Sequence, residues 1–360
     1  MAIAVFYGGK SCEHDVSVIT GLQVLNLLKS KEVIPVYVDR CGKWLVPKNA
    51  YTVSQYRNEV SGKSAFLRSG DKTLYIGKGK AKAVIDSAVI CCHGAYGEDG
   101  CLQGILQSSG VAYTCSGVSA SATGLNKILS KQAFYTAGLN LLPYSVVTRF
   151  DYENNLRKIV TKLAKKGYPL IVKPSSTGSS IGVSVAHDGK SLITALNTAF
   201  EWDNEVIVEK ALVDFTEYNC AVVGSNGKCR PSEIEKPAKV DEILSYKDKY
   251  ERGGLSGKGS REFPAVISNE LRVQIQNSAI VAFNAIGASG IARVDFLYDN
   301  ETKQLFVNEI NTVPGSLALY LFDDQKAVLE EIIRLATDER NRREKLTYRY
   351  ESGVIRGKGD

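Results

Sequence analysis

Leu170-Ile171-Val172-Lys173-Pro174-Ser175-Ser176-Thr177-Gly178-Ser179-Ser180-Ile181-Gly182 is the run on which the reading of the fold turns. Residues 170–173 read as a strand that stops at Pro174, and a loop of serine and glycine follows. Small residues let backbone N–H groups approach an anion closely, and hydroxyls add further donors. Lys173, at the strand end, can place an ammonium on the same anion. A phosphate-binding loop and a plain hairpin loop both fit this composition. No Gly-Lys-Ser/Thr closes the run, so it is not a P-loop, and the glycine spacing of a dinucleotide site is missing.

Working outward, residues 183–186 and 206–209 read as strands and 192–200 as a helix. Two strands clasping a Ser/Gly loop, with a further strand and helix, predict a small α+β module. Upstream, apolar strands are expected over 2–7, 33–38 and 88–92, with helices over 17–28 and 102–109. Strand, helix, strand with short links predicts parallel strands and right-handed crossovers. Residues 42–83 are polar and read as a surface excursion with short strands. Helix 127–136 opens the central part. Downstream come strands over 220–223, 292–297 and 305–309, helix 270–286, and a last helix from about residue 324.

With 360 residues the chain is too long for one small core and calls for two or three domains. A hydrophobic share of 44% with 23% charge excludes disordered, collagen-like and coiled-coil chains. No apolar run approaches the ~18 to 20 residues that span a bilayer. Residues 1–7 are too short for a signal peptide, so a cytoplasmic protein is expected. The net charge of +6 has a share near the C-terminus, in Arg340, Arg342, Arg343, Lys345, Arg349, Arg356 and Lys358. That cluster reads as a solvated helix end and tail. A nucleic-acid contact is the alternative, unsupported by any reader motif. The eight cysteines form no Cys-x-x-Cys pair and read as reduced thiols.

Two short strands carry the sharper signal. Arg293 and Asp295 share one face of Ala292-Arg293-Val294-Asp295-Phe296, and Glu309 and Asn311 share one face of Val307-Asn308-Glu309-Ile310-Asn311. If the strands are neighbours, Asp295, Glu309 and Asn311 present three hard oxygen ligands, which suit Mg²⁺ bridging phosphates. Arg293 beside them can bind a carboxylate or a developing oxyanion. A solvated strand face with one salt bridge is the bland alternative. Glu209 and Lys210 end a strand whose edge can hydrogen-bond adenine, with Glu217 shortly after. In the first domain, Glu13 follows the turn Gly8-Gly9-Lys10, and His93-Gly94 follows strand 88–92. Both therefore lie at the C-terminal edge of a parallel sheet, where ligands bind. Glu13 can pair with a substrate ammonium there.

Taken together, Glu13-His14-Asp15-Val16-Ser17, His93-Gly94 with Gly97-Glu98-Asp99-Gly100, Gly178-Ser179-Ser180, Arg293-Val294-Asp295 and Asn308-Glu309-Ile310-Asn311-Thr312 with Pro314-Gly315 resemble the D-alanine–D-alanine ligase family of ATP-grasp enzymes. The blocks keep the family's order from about residue 1 to 336. The resemblance implies an α/β and α+β, three-domain ATP-grasp architecture with an N-terminal parallel-sheet domain. Its limits would be 1–122, 123–213 and 214–340, with a basic tail over 341–360. It implies ATP-dependent joining of two D-alanines through an acyl phosphate, for peptidoglycan precursors, in a cytoplasmic homodimer. By position, Lys127, Lys173 and Ser180 would hold ATP phosphates. Glu209, Lys210 and Leu212 would line the adenine slot, and Glu217 would take the ribose. Asp295, Glu309 and Asn311 would hold two Mg²⁺, with Mn²⁺ a possible substitute. Glu13 would bind the first substrate's ammonium, closed over by Ser179 and Tyr250, with His93 nearby. Lys249 would reach the γ-phosphate, and Arg293 with the Gly315 N–H would form the oxyanion site.

The chain departs from the family pattern after Pro314-Gly315. Tyr320 falls near the place of a serine that would take the second substrate's carboxylate; Ser316, the nearest hydroxyl, is expected to bind that carboxylate instead, with Tyr320 as its competitor. Helical spacing is expected to put Ser316 and Tyr320 on one face. D-serine or D-lactate as acceptor, and a nucleotide-binding protein without ligase activity, are the rival readings.

Overall fold

The computed structural model describes residues 2–29, 31–49, 51–79, 81–238 and 261–350. Strands β1 (Ala2–Gly8), β2 (Val33–Val38), β6 (Ala81–Ile90) and β7 (Ala112–Tyr113) lie parallel. Helix α1 (His14–Leu27) crosses from β1 to β2. β1 is buried along its whole length, as its unbroken apolar run requires of a central parallel strand. Residues 42–83 are more regular than expected. β3 (Trp44–Pro47), β4 (Gly62–Arg68) and β5 (Asp71–Ile76) form an antiparallel meander from β2 to the first half of β6. Leu74 and Ala65 face the core, and the polar alternates that masked the pattern face water.

Helices α2 (Cys101–Ser108), α3 (Val118–Leu125) and α4 (Lys127–Thr136) lead to a four-stranded sheet of order β10-β9-β11-β8. Its strands are β8 (Tyr144–Thr148), β9 (Leu170–Pro174), β10 (Ser184–Ala186) and β11 (Glu205–Lys210), backed by α5 (Arg149–Ala164) and α6 (Gly189–Phe200). β11 is not an edge: β8 pairs along one side as far as Glu209, and β9 along the other.

A third sheet, of order β13-β12-β14-β15, uses β12 (Phe215–Ser225), β13 (Lys228–Glu235), β14 (Gly290–Asp299) and β15 (Leu305–Asn311). Helix α7 (Asn269–Ala285) and α4 pack on one face of it, through Phe283 and Phe134. The strand expected over 220–223 is thus the middle of an eleven-residue one. Helix α8 (Gln325–Glu344) closes the described chain. Its basic end is not wholly solvated: Arg340 donates to the Asp86 carbonyl at 3.3 Å, and the Arg343 guanidinium lies 5.2 Å from the Tyr113 ring centre. Arg356 and Lys358 lie outside the described residues. One apolar core runs from β1 and α1 through Ala221, Ile291, Leu317 and Leu329, so the first and third sheets are packed as one body. None of the described helices is long and apolar enough to cross a membrane.

Candidate active site

Register places the chemistry of the third sheet. Glu235 on β13 pairs with Asn219 on β12, Asn219 with Asp295 on β14, and Asp295 with Glu309 on β15. Directly opposed residues share a face, so one row of polar side chains crosses all four strands. Arg293 pairs with Asn311 two residues along. Its Nε and Nη2 donate to the two oxygens of Asp295 at 2.6 and 2.7 Å, a bidentate fork, and Asn311 Nδ2 donates to Asp295 Oδ2 at 3.1 Å. The predicted cluster of Asp295, Glu309, Asn311 and Arg293 is therefore real in space. Its donor set, two carboxylates with amide oxygens beside them, fits a hard divalent cation.

The second sheet faces this row with lysines. Lys173 Nζ, on β9, donates to Glu209 Oε2 at 2.6 Å and to Asn308 Oδ1 at 3.0 Å. Lys131, on α4, lies 2.7 Å from Glu209 Oε1. Glu209 is wholly buried. Burial alone would raise its carboxyl, but Lys173 and Lys131 override this and hold it at about 2, hence ionised. The Glu209 side chain thus faces the lysines instead of lining an open edge, and Lys210 turns its ammonium to the Tyr168 carbonyl at 2.6 Å. Leu212 and Glu217 are half-buried beside the strand end. Sequence reasoning missed Lys131, because a lysine in a helix reads as solvated.

Lys127 opens α4. Its N–H donates to the Ser175 carbonyl at 2.8 Å, its Nζ donates to the Thr177 carbonyl, and Glu309 Oε2 lies 3.7 Å away. Asn126 caps the helix by accepting from the Ile128 and Leu129 N–H groups, both at 3.0 Å. Asp203 anchors the start of the Ser/Gly loop, accepting from the Ser175 hydroxyl at 2.7 Å and the Ser176 N–H at 2.8 Å. Ser179 and Ser180 then take left-handed conformations, at φ 51° and 58°. Such backbone is uncommon outside glycine and marks a loop whose shape its surroundings impose.

That loop reaches the first sheet. The Ser179 hydroxyl donates to Glu13 Oε1, and Glu13 is 9% exposed. A Cβ at Gly178 would stand 2.7 Å from Glu13 Oε2, so glycine is what lets loop and carboxylate meet. His93 is buried with both ring nitrogens engaged, on the Val313 carbonyl at 2.6 Å and Thr20 Oγ1 at 2.9 Å. Burial, opposed by Glu13, lowers its pKa, so it is neutral. A carbonyl only accepts; Nδ1 carries the proton and Nε2 accepts from Thr20. Thr20 Oγ1 in turn accepts from the Ser316 N–H at 3.1 Å. Glu98 Oε1 accepts from the Val313 N–H at 2.9 Å and Oε2 from the Gly94 N–H at 3.2 Å. The turn that carries Gly315 is thus clamped on both sides of Val313. Glu98 lies within the motif Gly97-Glu98-Asp99-Gly100, but only the fold reveals its partner.

The turn itself differs from expectation. Ser316, Leu317 and Ala318 have φ of 52°, 49° and 49°, so the spacing that would align Ser316 with Tyr320 is not α-helical. Tyr320 donates to Glu235 Oε2 at 3.0 Å, so it is also more than the core aromatic its neighbours suggest. Lys249 and Tyr250 lie outside the described residues.

Lys173 on one small sheet with Lys127 and Lys131 on α4, facing carboxylates and an arginine on another sheet with a Ser/Gly loop between, define an ATP-grasp ligase. Family models agree: the D-ala D-ala ligase N-terminus matches residues 2–116 and the C-terminus residues 133–327. A D-alanine–D-alanine ligase of Chloroherpeton thalassium is 34% identical over 89% of both chains. Among solved structures, the D-alanine-D-alanine ligase of Coxiella burnetii superposes with TM-score 0.81 over 99% of this chain and 97% of that one, at 24% identity, a likeness of fold. The VanG D-Ala:D-Ser ligase of Enterococcus faecalis superposes with TM-score 0.78 at 26% identity, over 93% of this chain and 99% of that one. The chain belongs to the D-alanine–D-alanine ligase family, whose members are ATP-dependent ligases.

Proposed function

We propose that this enzyme joins two D-alanine molecules, with ATP cleaved to ADP and phosphate, to supply a peptidoglycan precursor in the cytoplasm. The observation that carries the reading is the contact of Glu13, from the first sheet, with Ser179 of the Ser/Gly loop. It supports the reading because a carboxylate able to take an ammonium then stands beside a loop able to cradle phosphate, which is what activation of an amino acid's own carboxylate needs.

In this reading Glu13 holds the first substrate's ammonium, with Ser179 and Tyr250 closing over it and His93 bracing the far wall. Lys127, Lys173, Ser180 and Lys249 grip the phosphates. The end of β11 at Glu209 and Lys210, with Leu212, lines the adenine slot, and Glu217 takes the ribose. Asp295, Glu309 and Asn311 would hold Mg²⁺, taken here as two ions with Mn²⁺ able to replace them, and the bound metal would supply positive charge to offset that of the phosphates. The first carboxylate attacks the γ-phosphorus, and ADP departs. The second substrate's amine then attacks the acyl-phosphate carbonyl. Arg293 and the Gly315 N–H stabilise the oxyanion, with Ser316 in the same turn, and phosphate leaves as the peptide bond forms. Domain limits of 1–122, 123–213 and 214–340, and a homodimer, complete the reading.

The likeness to a D-Ala:D-Ser ligase supports a second reading, with D-serine as acceptor. Phosphate release and product chromatography across D-alanine, D-serine and D-lactate as partners for D-alanine test both. D-alanyl-D-alanine as the dominant product is expected. Dominant D-alanyl-D-serine would favour the second reading, and no D-alanine-dependent phosphate release would sink both.

A further inference from the structure

The acceptor has a carboxylate of its own, and burying it without donors costs several kcal/mol. Arg293 is committed through Nε and Nη2 to Asp295. The row across the third sheet offers a second cation. Its outer member, Glu235, is 5% exposed and paired through Oε1 with Arg261 Nε. The Arg261 guanidinium also lies 4.3 Å from the centre of the Tyr320 ring. Tyr320 donates to the other oxygen of Glu235 at 3.0 Å. Three contacts thus close a triangle of Arg261, Tyr320 and Glu235. Glu235 stands in the same cross-strand row as Asp295, which Arg293 holds, so the triangle borders the oxyanion site.

Two features make Arg261 more than a structural tie. Nε faces Glu235, which among the described residues leaves the Nη fork, the part of a guanidinium that matches a carboxylate bidentately. Its side chain is 47% accessible, whereas that of Glu235 is 7% accessible. A ligand can therefore approach the arginine while the glutamate stays covered. Stacking and ion pairing fix the plane of the guanidinium beforehand, which reduces the ordering cost of binding.

Resting on the ligase reading, we infer that Arg261 binds the carboxylate of the acceptor amino acid, with Tyr320 and Glu235 as the residues that position it. Tyr320 cannot itself donate to that carboxylate while its hydroxyl proton is on Glu235.

The test compares D-alanine with D-alaninamide, which has the amine but no carboxylate, as acceptors for D-alanine. Dipeptide and dipeptide amide are separated by chromatography. Wild type is expected to prefer D-alanine. Arg261→Gln should lower that preference about tenfold or more, through the D-alanine acceptor KM, with the KM for ATP and for the first D-alanine unchanged. Tyr320→Leu, which removes the stack, should behave similarly, and Tyr320→Phe should restore most of the preference. An Arg261→Gln enzyme with wild-type preference would overturn the inference and leave the ligase reading standing. So would a loss shared equally by both acceptors and ATP. A wild type that makes neither product would overturn the ligase reading and this inference with it.

Discussion

Two carboxylates have separable tasks. Glu309 faces Lys127 and the Asp295–Arg293 pair, where, in the proposed reading, its charge would serve a cation and phosphates. Glu309→Gln keeps the shape of the strand and removes that charge. Turnover should fall about a hundredfold or more, equivalent to ~2.7 kcal/mol of barrier, while the melting temperature stays within a few degrees. A mutant releasing phosphate within about threefold of wild type at saturating Mg²⁺ would remove Glu309 from the metal site. Glu13 lies against Ser179, whereas Lys131 and Lys173 are held by Glu209. Glu13→Gln should therefore raise the KM for the first D-alanine far more than that for ATP. Equal rises in both would mean that Glu13 acts by holding the loop, not the substrate.

At the level of elements, legibility followed burial pattern. Helix α4 and strand β2 have the bounds that their apolar spacing predicts. Helix α5 escaped the reading, because only Tyr152 and Leu163 along it are buried and its surface is polar. β7 is two residues long, too short for any period to register. Close packing sets limits that no period reveals. Gly21 of α1 crosses β1 so closely that a Cβ there would stand 2.3 Å from Tyr7 Cβ. Helix propensity alone favours Gly21→Ala. Overpacking should win instead, with a loss of about 1–3 kcal/mol in chemical denaturation. An unchanged or raised midpoint would show that helix and strand can separate at little cost.

On the scale of the molecule, three parts of the chain meet over the site, and Glu98 joins two of them. Burial first, then the neighbouring Glu13, raises its carboxyl to about 7, although the Val313 and Gly94 N–H groups oppose the shift. The folded protein thus binds a proton at Glu98 that the unfolded chain releases near 4.5. The stabilisation from that proton is fully present below about pH 4.5 and is lost as pH rises through about 7. Glu98→Gln removes the titration. The difference in melting temperature between wild type and variant should shift in the variant's favour as pH goes from 5 to 8. A difference independent of pH would mean that Glu98 is ionised throughout. The same clamp should make the variant's kcat fall at every pH, since Gly315 rides on the turn that Glu98 holds.

The sequence by itself determined which residue types could do the chemistry, because hard ligands, an anion loop and its lysine are local facts of composition and order. It also determined most strands, since a period of two needs only a few residues to show. Tertiary structure alone decided which of those groups meet. The row Glu235, Asn219, Asp295 and Glu309 exists only through the pairing register of four strands drawn from distant parts of the chain. The partners of Lys131, Glu98 and Arg261 were silent in the sequence for the same reason. Each is an ordinary charged residue until its partner arrives from another element: Glu209 for Lys131, Val313 for Glu98, Tyr320 for Arg261. A charge's environment depends on everything packed within a few ångströms, and only the folded chain sets that.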